Sequence, residues 1–413
     1  MTMASVAEID IFDPAHLEDP YPMYRTLCEH APVYRVPGTD FYLISSWELV
    51  SQVCARTEVF SSNLTATLIR QPDGTAAAFD MDHGGQAVHV LATADDPDHR
   101  QHRKLVSTVL SKRIRALGPT VEELVDSLWA SELRDGRIDW ATGMADRLPL
   151  ALVAAIIGLP PEDVPRLLDW AYDSTEMLGG VVPAERMGPL IMSAAELTGY
   201  LYHQLTAART DAARRDSGQD LLGVLARAVE AGELPHEVAV LNLVQLVGAG
   251  GESTAGLIAS AARILATDPG LQDLLREQPH RIPAFLDEAL RLESPFRGHH
   301  RHVVTDTELG GVSLPAGSHL LLLWGAANRD PAVFPHPDTL DLDRTTSRHQ
   351  LAFGKGIHFC VGSPLAKLEA HAAVSALLER SASFSLIEDA APMWVPSLFV
   401  RRHQTLPLKI TTN

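Results

Sequence analysis

Residues 353–362 read Phe353-Gly354-Lys355-Gly356-Ile357-His358-Phe359-Cys360-Val361-Gly362. Glycines punctuate this stretch around a single cysteine held between apolar residues. A helical pattern follows, with Pro364 near its start and Leu365, Ala366, Leu368 and Ala370 inside it. Cys360 therefore falls just before a helix N-terminus, where free backbone N–H groups and the helix dipole favour a thiolate. The glycines let backbone amides approach the sulfur and let a flat ligand lie close. A lone thiolate with open surroundings and no second cysteine nearby suits an axial ligand to haem iron. The competing reading is a buried structural cysteine, the usual fate of a free one. Cys28 and Cys54 carry no such frame, and that plainer reading stands for both.

Outward from this loop, composition narrows the choices. The 413 residues contain only three cysteines, widely spaced, which excludes a disulfide scaffold and a cysteine-rich zinc site. Lys and Arg total 34 against 52 Asp and Glu, a net charge of −18 that argues against nucleic acid or an anionic membrane as main partner. The stretch Met1–Asp13 has three acids and no Lys or Arg, unlike a signal peptide. No apolar run approaches the ~20 residues of a membrane span. A soluble, cytoplasmic chain is expected.

The dominant pattern is helical. Apolar residues recur at three- and four-residue spacing over 120–132, 145–158, 163–172 and 186–209. Strand-like pieces are short: a hairpin of Val33–Val36 with Phe41–Ile44, then His302–Val304, Val312 with Leu314, and His319–Leu323. The fold class is mainly α with a small β region near the N-terminus. One helix stands out, from His236 to about Thr267, with Pro235 placed in its first turn. It should run about 32 residues, roughly 48 Å at 1.5 Å per residue. It is apolar nearly all round and so should be buried. Its centre reads Gly248-Ala249-Gly250-Gly251-Glu252-Ser253-Thr254. Glycines there cost about 1 kcal/mol each against Ala, and an acid with two hydroxyls follows in apolar surroundings. Such a local violation tends to mark function; close helix packing with a kink is the plainer reading.

The cysteine loop resembles that of the cytochrome P-450 superfamily, in which a thiolate binds haem iron. Other motifs join it. Glu288-Ala289-Leu290-Arg291 matches the family's Glu-x-x-Arg, and Arg344, closing Asp341-Leu342-Asp343-Arg344, matches the third member of its bracing network. The wording resembles the soluble bacterial type. Phe60–Thr67 and Pro295–His299 look closest to an actinobacterial branch that includes mycobacterial members of unsettled substrate. Motifs from His99 to Cys360 argue for one haem-centred domain over 1–413.

The resemblance implies the family's mostly helical fold, haem b as cofactor and Cys360 as iron ligand. His99, Arg103, Arg301 and His358 would bind the haem propionates through charge-assisted bonds. Phe353, Gly354 and Gly362 would frame the sulfur, with Ala249 on the opposite side of the haem. Ala249-Gly250-Gly251-Glu252-Ser253 matches the oxygen-binding groove, its glycines leaving room for dioxygen. Glu252 with Ser253 or Thr254 would deliver protons; most relatives carry Thr after the acid, where this chain has Ser253. The chain would insert one atom of O2 into an organic small molecule. Electrons would come from a ferredoxin and its reductase, since the chain has no flavin or iron–sulfur domain. An acidic ferredoxin needs a basic face, for which Arg103, Lys104, Lys112, Arg113, Lys355 and Lys367 are candidates. Family positions place the substrate against 62–92, Val247, Gly248, Phe296–His300 and Ser397–Phe399, with Arg70 or Arg297 receiving an acidic group. Zinc at His299, His300 and His302 is disfavoured, because neighbours on a strand point to opposite faces. Three rivals stand beside this reading: a haem protein that binds ligands without turnover, an enzyme of peroxide-driven or oxidative coupling chemistry, and a helical binding protein with a structural Cys360.

Overall fold

The computed structural model describes residues 9–82 and 84–413. Met1–Glu8, on which part of the signal-peptide expectation rests, and His83, within the 62–92 region, lie outside the described residues. Among the described residues no helix is long and apolar enough to cross a membrane.

The helical expectations are met with shifted bounds: Gly118–Glu132, Arg147–Ile157, Val164–Glu176 and Ala184–Thr210. The expected 145–158 segment is divided: a short π-helical turn at Ala141–Ala145 precedes the α-helix that begins at Arg147. The long helix spans His236–Ala266, and Pro235 caps it from outside in extended geometry instead of sitting in its first turn. The glycine run does not break it. Gly250 and Gly251 instead admit the neighbouring helix Arg147–Ile157. A Cβ on Gly250 would stand 2.6 Å from Val153 Cγ2, and one on Gly251 3.3 Å from Leu150 Cδ1. Their main packing role is thus close helix approach.

The hairpin Val33–Arg35 and Phe41–Ile44 forms as expected, but it belongs to a larger sheet. Its order is Val33–Arg35, Phe41–Ile44, His319–Leu323, Gly298–Val303, Phe60–Ser61. The β region is therefore assembled from both ends of the chain, because Phe41–Ile44 pairs in parallel with His319–Leu322. The run Leu320–Leu323 is apolar throughout because both faces are covered. Leu321 and Leu323 join Phe41 and Leu43 in one cluster; Leu320 and Leu322 join Tyr42 and Ile44 in another. Two further sheet pieces carry no strong period: Ala66–Arg70 with Ala76–Asp80, and Ser381–Leu386 with Pro407–Thr412 and Arg137–Asp139. The largest core is helical and includes the long helix, Arg147–Ile157 and Ser363–Glu379.

Candidate active site

A largely apolar cavity of about 1570 Å³, including its open mouth, lies between the long helix and the cysteine loop. The loop is held by backbone geometry. Gly354 and Gly356 have φ of +71° and +73°, which favour glycine. A Cβ on Gly356 would also stand 3.0 Å from the Cys54 carbonyl. Cys360 N–H donates to Phe353 O at 2.8 Å, closing the loop beneath the sulfur. The helix Ser363–Glu379 begins three residues later with Pro364 in its first turn. Burial pushes the Cys360 thiol up; the N–H groups of Gly362 and Ser363 and the charge of Arg103 offset only part of this. Helix position alone therefore does not make a free thiolate, whereas a coordinating metal deprotonates a thiol outright.

The nine expected cofactor residues all line this one cavity: His99, Arg103, Ala249, Arg301, Phe353, Gly354, His358, Cys360 and Gly362. They come from four separate parts of the chain. His99 and Arg103 share one face of the helix Asp98–Arg113, and Arg301 lies on the strand Gly298–Val303. The rings of His99 and His358 are 4.1 Å apart. Burial, then the charges of Arg301, His99 and Arg103, push His358 down to about 3. His358 Nε2 is buried without a partner, and the Arg103 side chain has no hydrogen bond or ion pair among the described residues. Arg301 has a single one, to the His300 carbonyl at 2.7 Å. Two guanidinium groups and two imidazoles, with no Asp or Glu among the residues lining the cavity, fit an anionic group. The largely apolar cavity beside one sulfur has room for a porphyrin. The residues present therefore fit haem.

Sequence reasoning missed a neighbour of this end. Trp324 Nε1 donates to His299 Nδ1 at 2.7 Å, which leaves the proton on Nε2. Burial, then the charges of Arg301 and His300, push His299 down to about 3, so the ring is neutral near pH 7. His299 lines the cavity, and Nε2 has no partner among the described residues. No sequence signal ties a tryptophan 25 residues away to this tautomer. His300 and His302 contact Phe41 and His319 instead, and no metal-holding group of three or more His, Cys, Asp or Glu occurs among the described residues.

On the long helix, Ser253 and Thr254 line the cavity and Glu252 does not. The Ser253 hydroxyl donates to Ala249 O at 2.9 Å, while Thr254 Oγ1 has no partner among the described residues. Glu252 is turned behind the helix, where Oε1 accepts from Arg402 Nε at 2.9 Å and Oε2 from Thr175 Oγ1. Gln245, Leu246 and Ala249 line the cavity, not the expected Val247 and Gly248. The helix period turns those two away; a Cβ on Gly248 would meet Ser174 Oγ at 2.8 Å. Arg297 is not available to an acidic substrate, because its guanidinium donates to the carbonyls of Val400, His16 and Leu17. Phe296 and His299 line the cavity; Ser397–Phe399 stand behind them, Phe399 packing 4.8 Å from Phe296.

The expected brace is present. Arg291 donates to both oxygens of Glu288 at 2.7 and 2.9 Å, and Arg344 Nε to Oε2 at 3.1 Å. Arg291 also reaches Asn328 O, Asn328 Oδ1 accepts from Leu351 N, and Leu351 O accepts from Gly354 N. The network thus runs directly into the cysteine loop.

A helical body enclosing an apolar cavity, with one loop-held cysteine at an anion-binding end, defines a haem-thiolate protein. The family model "Cytochrome P450" matches residues 185–393. The chain is 45% identical over 412 residues to "Cytochrome P450 144" of Mycobacterium tuberculosis, covering 99% of this chain and 93% of that one. It is 32% identical to "Cytochrome P450 monooxygenase PikC" of Streptomyces venezuelae, covering 95% and 91%. The crystal structure of CalO2 superimposes with a TM-score of 0.85 at 27% identity, covering 98% of this chain and 99% of that one. The chain belongs to the cytochrome P450 family. It is an oxidoreductase of the monooxygenase class, and its cofactor is haem b.

Proposed function

We propose that this P450 works as one haem-centred unit and inserts an oxygen atom into a mainly apolar organic molecule. One observation carries this reading: a single cavity joins Cys360, the four propionate-binding candidates and two hydroxyls of the long helix. Cys360 would hold the iron, and His99, Arg103, Arg301 and His358 would hold the propionates. Bound haem supplies the iron centre at which dioxygen is reduced and cleaved. Phe353, Gly354 and Gly362 set the sulfur beside the cavity, and Ala249 and Gly250 form the facing wall. Ser253 and Thr254 hold water and protons at that wall, with Glu252 behind them as the acid. Apolar lining, with Gln245, the two hydroxyls and the neutral His299 ring among its few uncharged polar groups, favours a substrate held chiefly by shape. Electrons come from an acidic ferredoxin and its reductase. Lys104 and Lys112 are the docking cations best supported, being exposed and without partners among the described residues. Arg103 lines the cavity, Arg113 donates to Ala155 O, Lys355 is bound to Ser51 over the Trp47 ring, and Lys367 is paired with Asp287.

The test is reconstitution of the full chain with a ferredoxin and reductase, after a ligand screen by spectral shift. Oxygenated product with a thiolate-type CO spectrum is expected; that spectrum surviving in Cys360→Ala would refute the ligand assignment. Ser253 is proposed as the working hydroxyl. Ser253→Ala should lower product per NAD(P)H more than Thr254→Ala. The reverse order would pass the role to Thr254, whose hydroxyl is the free one.

A further inference from the structure

Glu252 is flanked on the helix by cavity-lining residues, yet its carboxylate is held behind it by Arg402. That arginine is shared. Arg402 Nη1 lies 3.9 Å from Asp146 Oδ1, and its guanidinium stands 3.8 Å over the Tyr172 ring. The Tyr172 hydroxyl donates to the same Asp146 oxygen at 2.5 Å. The side chains of Glu252, Asp146 and Arg402 are 3%, 8% and 10% exposed. Two buried carboxyl groups thus face one guanidinium. His403 adds no charge: burial, with Arg263, Arg401 and Arg402 nearby, pushes it down to about 2, and both ring nitrogens lack partners among the described residues. Asp139 faces Asp146, and Glu176 faces Glu252, adding negative potential. A second full negative charge here would be uncompensated, and a buried site relieves that by keeping a proton.

We infer that Asp146 is the proton-holding partner of Glu252, with Arg402 as the clamp that passes between them. This rests on the reading that Glu252 serves proton delivery. Asp146 and Glu252 share no hydrogen bond, so in the exchange a water molecule takes the proton from the Asp146 carboxyl and gives one to the Glu252 carboxylate, for passage on to the hydroxyls at the cavity wall. Arg402 then pairs with the Asp146 carboxylate, so the charge of the cluster is unchanged and Glu252, now neutral, is released from its ion pair. Bulk water returns the proton to Asp146 past half-buried Tyr172. Asp146 is a positioning residue in this scheme and does not touch the cofactor. Burial pushes it up to about 6, against the pull of Arg402 and the Tyr172 donor. Burial also raises Glu252, so the two titrate as a pair.

The test uses the haem-loaded full chain and its Asp146→Asn, Glu252→Gln and Tyr172→Phe variants. Without turnover, the infrared carbonyl band of a buried protonated carboxyl is followed against pH. Buried Glu369, also pushed up by burial, adds a band of its own; the Asp146 component should vanish with a midpoint near 6, be missing in D146N, and move to higher pH in Y172F, which loses a donor to the ionised form. During turnover near pH 6, where Asp146 still holds its proton in about half of the molecules, D146N and E252Q should each lower product per reducing equivalent about tenfold, a modest loss for acid catalysis. D146N is nearly isosteric, and an unchanged thiolate-type CO spectrum confirms an intact fold. A band unaltered in D146N overturns the inference. So does full coupling in D146N while E252Q is uncoupled, an outcome that leaves the reading of Glu252 standing. Full coupling in E252Q overturns that reading first and the inference with it.

Discussion

Replacing Glu288 by Gln tests whether the brace under the cysteine loop rests on charge. Glu288 and Arg291 are both fully buried. Glu288 accepts two bonds from Arg291, one from Arg344 and one from Asp341 N. Burial pushes the Glu288 carboxyl up, but Arg291, aided by Asp341 N–H and Arg344, outweighs it, so the group lies below the usual carboxylate range. Gln keeps the shape and removes the one negative charge facing two buried guanidinium groups. Arg291 retains bonds to the carbonyls of Asn328, Pro337 and Thr339, which satisfy hydrogen bonds but not charge. Breaking a buried pair in this way costs about 3–5 kcal/mol. E288Q should therefore unfold at much lower urea concentration at pH 7, read by circular dichroism. Because the network continues through Asn328 and Leu351 to Gly354, haem should also be lost faster to an acceptor protein. The wild-type advantage is complete above the ordinary Glu value of about 4.3 and disappears as pH falls through the depressed value. A loss below about 1 kcal/mol at pH 7, the range of a solvent-exposed pair, would refute the reasoning.

Gly250→Ala should destabilise by about 1–3 kcal/mol, since its Cβ meets Val153 Cγ2 and overpacking outweighs the gain in helix propensity; adding Val153→Ala should restore part of the loss, measured by thermal melting. Trp324→Phe leaves His299 Nδ1 without its donor, at a cost of about 1–3 kcal/mol. Nitrogen NMR of the ring should then show mixed tautomers in place of Nε2–H alone. Asp146 is raised on folding from 3.8 to about 6, so between those values the folded chain binds more protons than the unfolded one. Its stability contribution therefore falls as pH rises, by about 3 kcal/mol in total. Asp146→Asn should remove that slope in a comparison of unfolding free energies at pH 4 and pH 7, and an unchanged slope would count against the shift.

The local features were legible in the sequence because short-range rules govern them. Residues three apart share a helix face, so Glu288 and Arg291 meet whatever surrounds them. The glycine-framed cysteine loop is contiguous, and the long helix follows from an apolar pattern bounded by Pro235 and Pro269. From these the framed cysteine, the Glu288–Arg291 pair and the glycine-interrupted centre of the long helix could be picked out by residue number. The family resemblance marked His99, Arg103, Arg301 and His358 as propionate candidates, and the fold brings all four to one cavity.

Pairings across the chain were decided only by tertiary packing. Arg402 is 150 residues from Glu252, and nothing in either neighbourhood ties them together. Burial supplies the reason: a carboxylate removed from water must find a cation or a proton, and the fold determines which is within reach. The glycines of the long helix read as room for a ligand, yet Val153 and Leu150 press against two of them. Arg297 looked free for a substrate, but three carbonyls in the folded chain take its guanidinium. Side-chain identity fixed what chemistry each residue can do. Which partner it meets was set by packing, since helix and strand periods assign a face but not the neighbour that covers it.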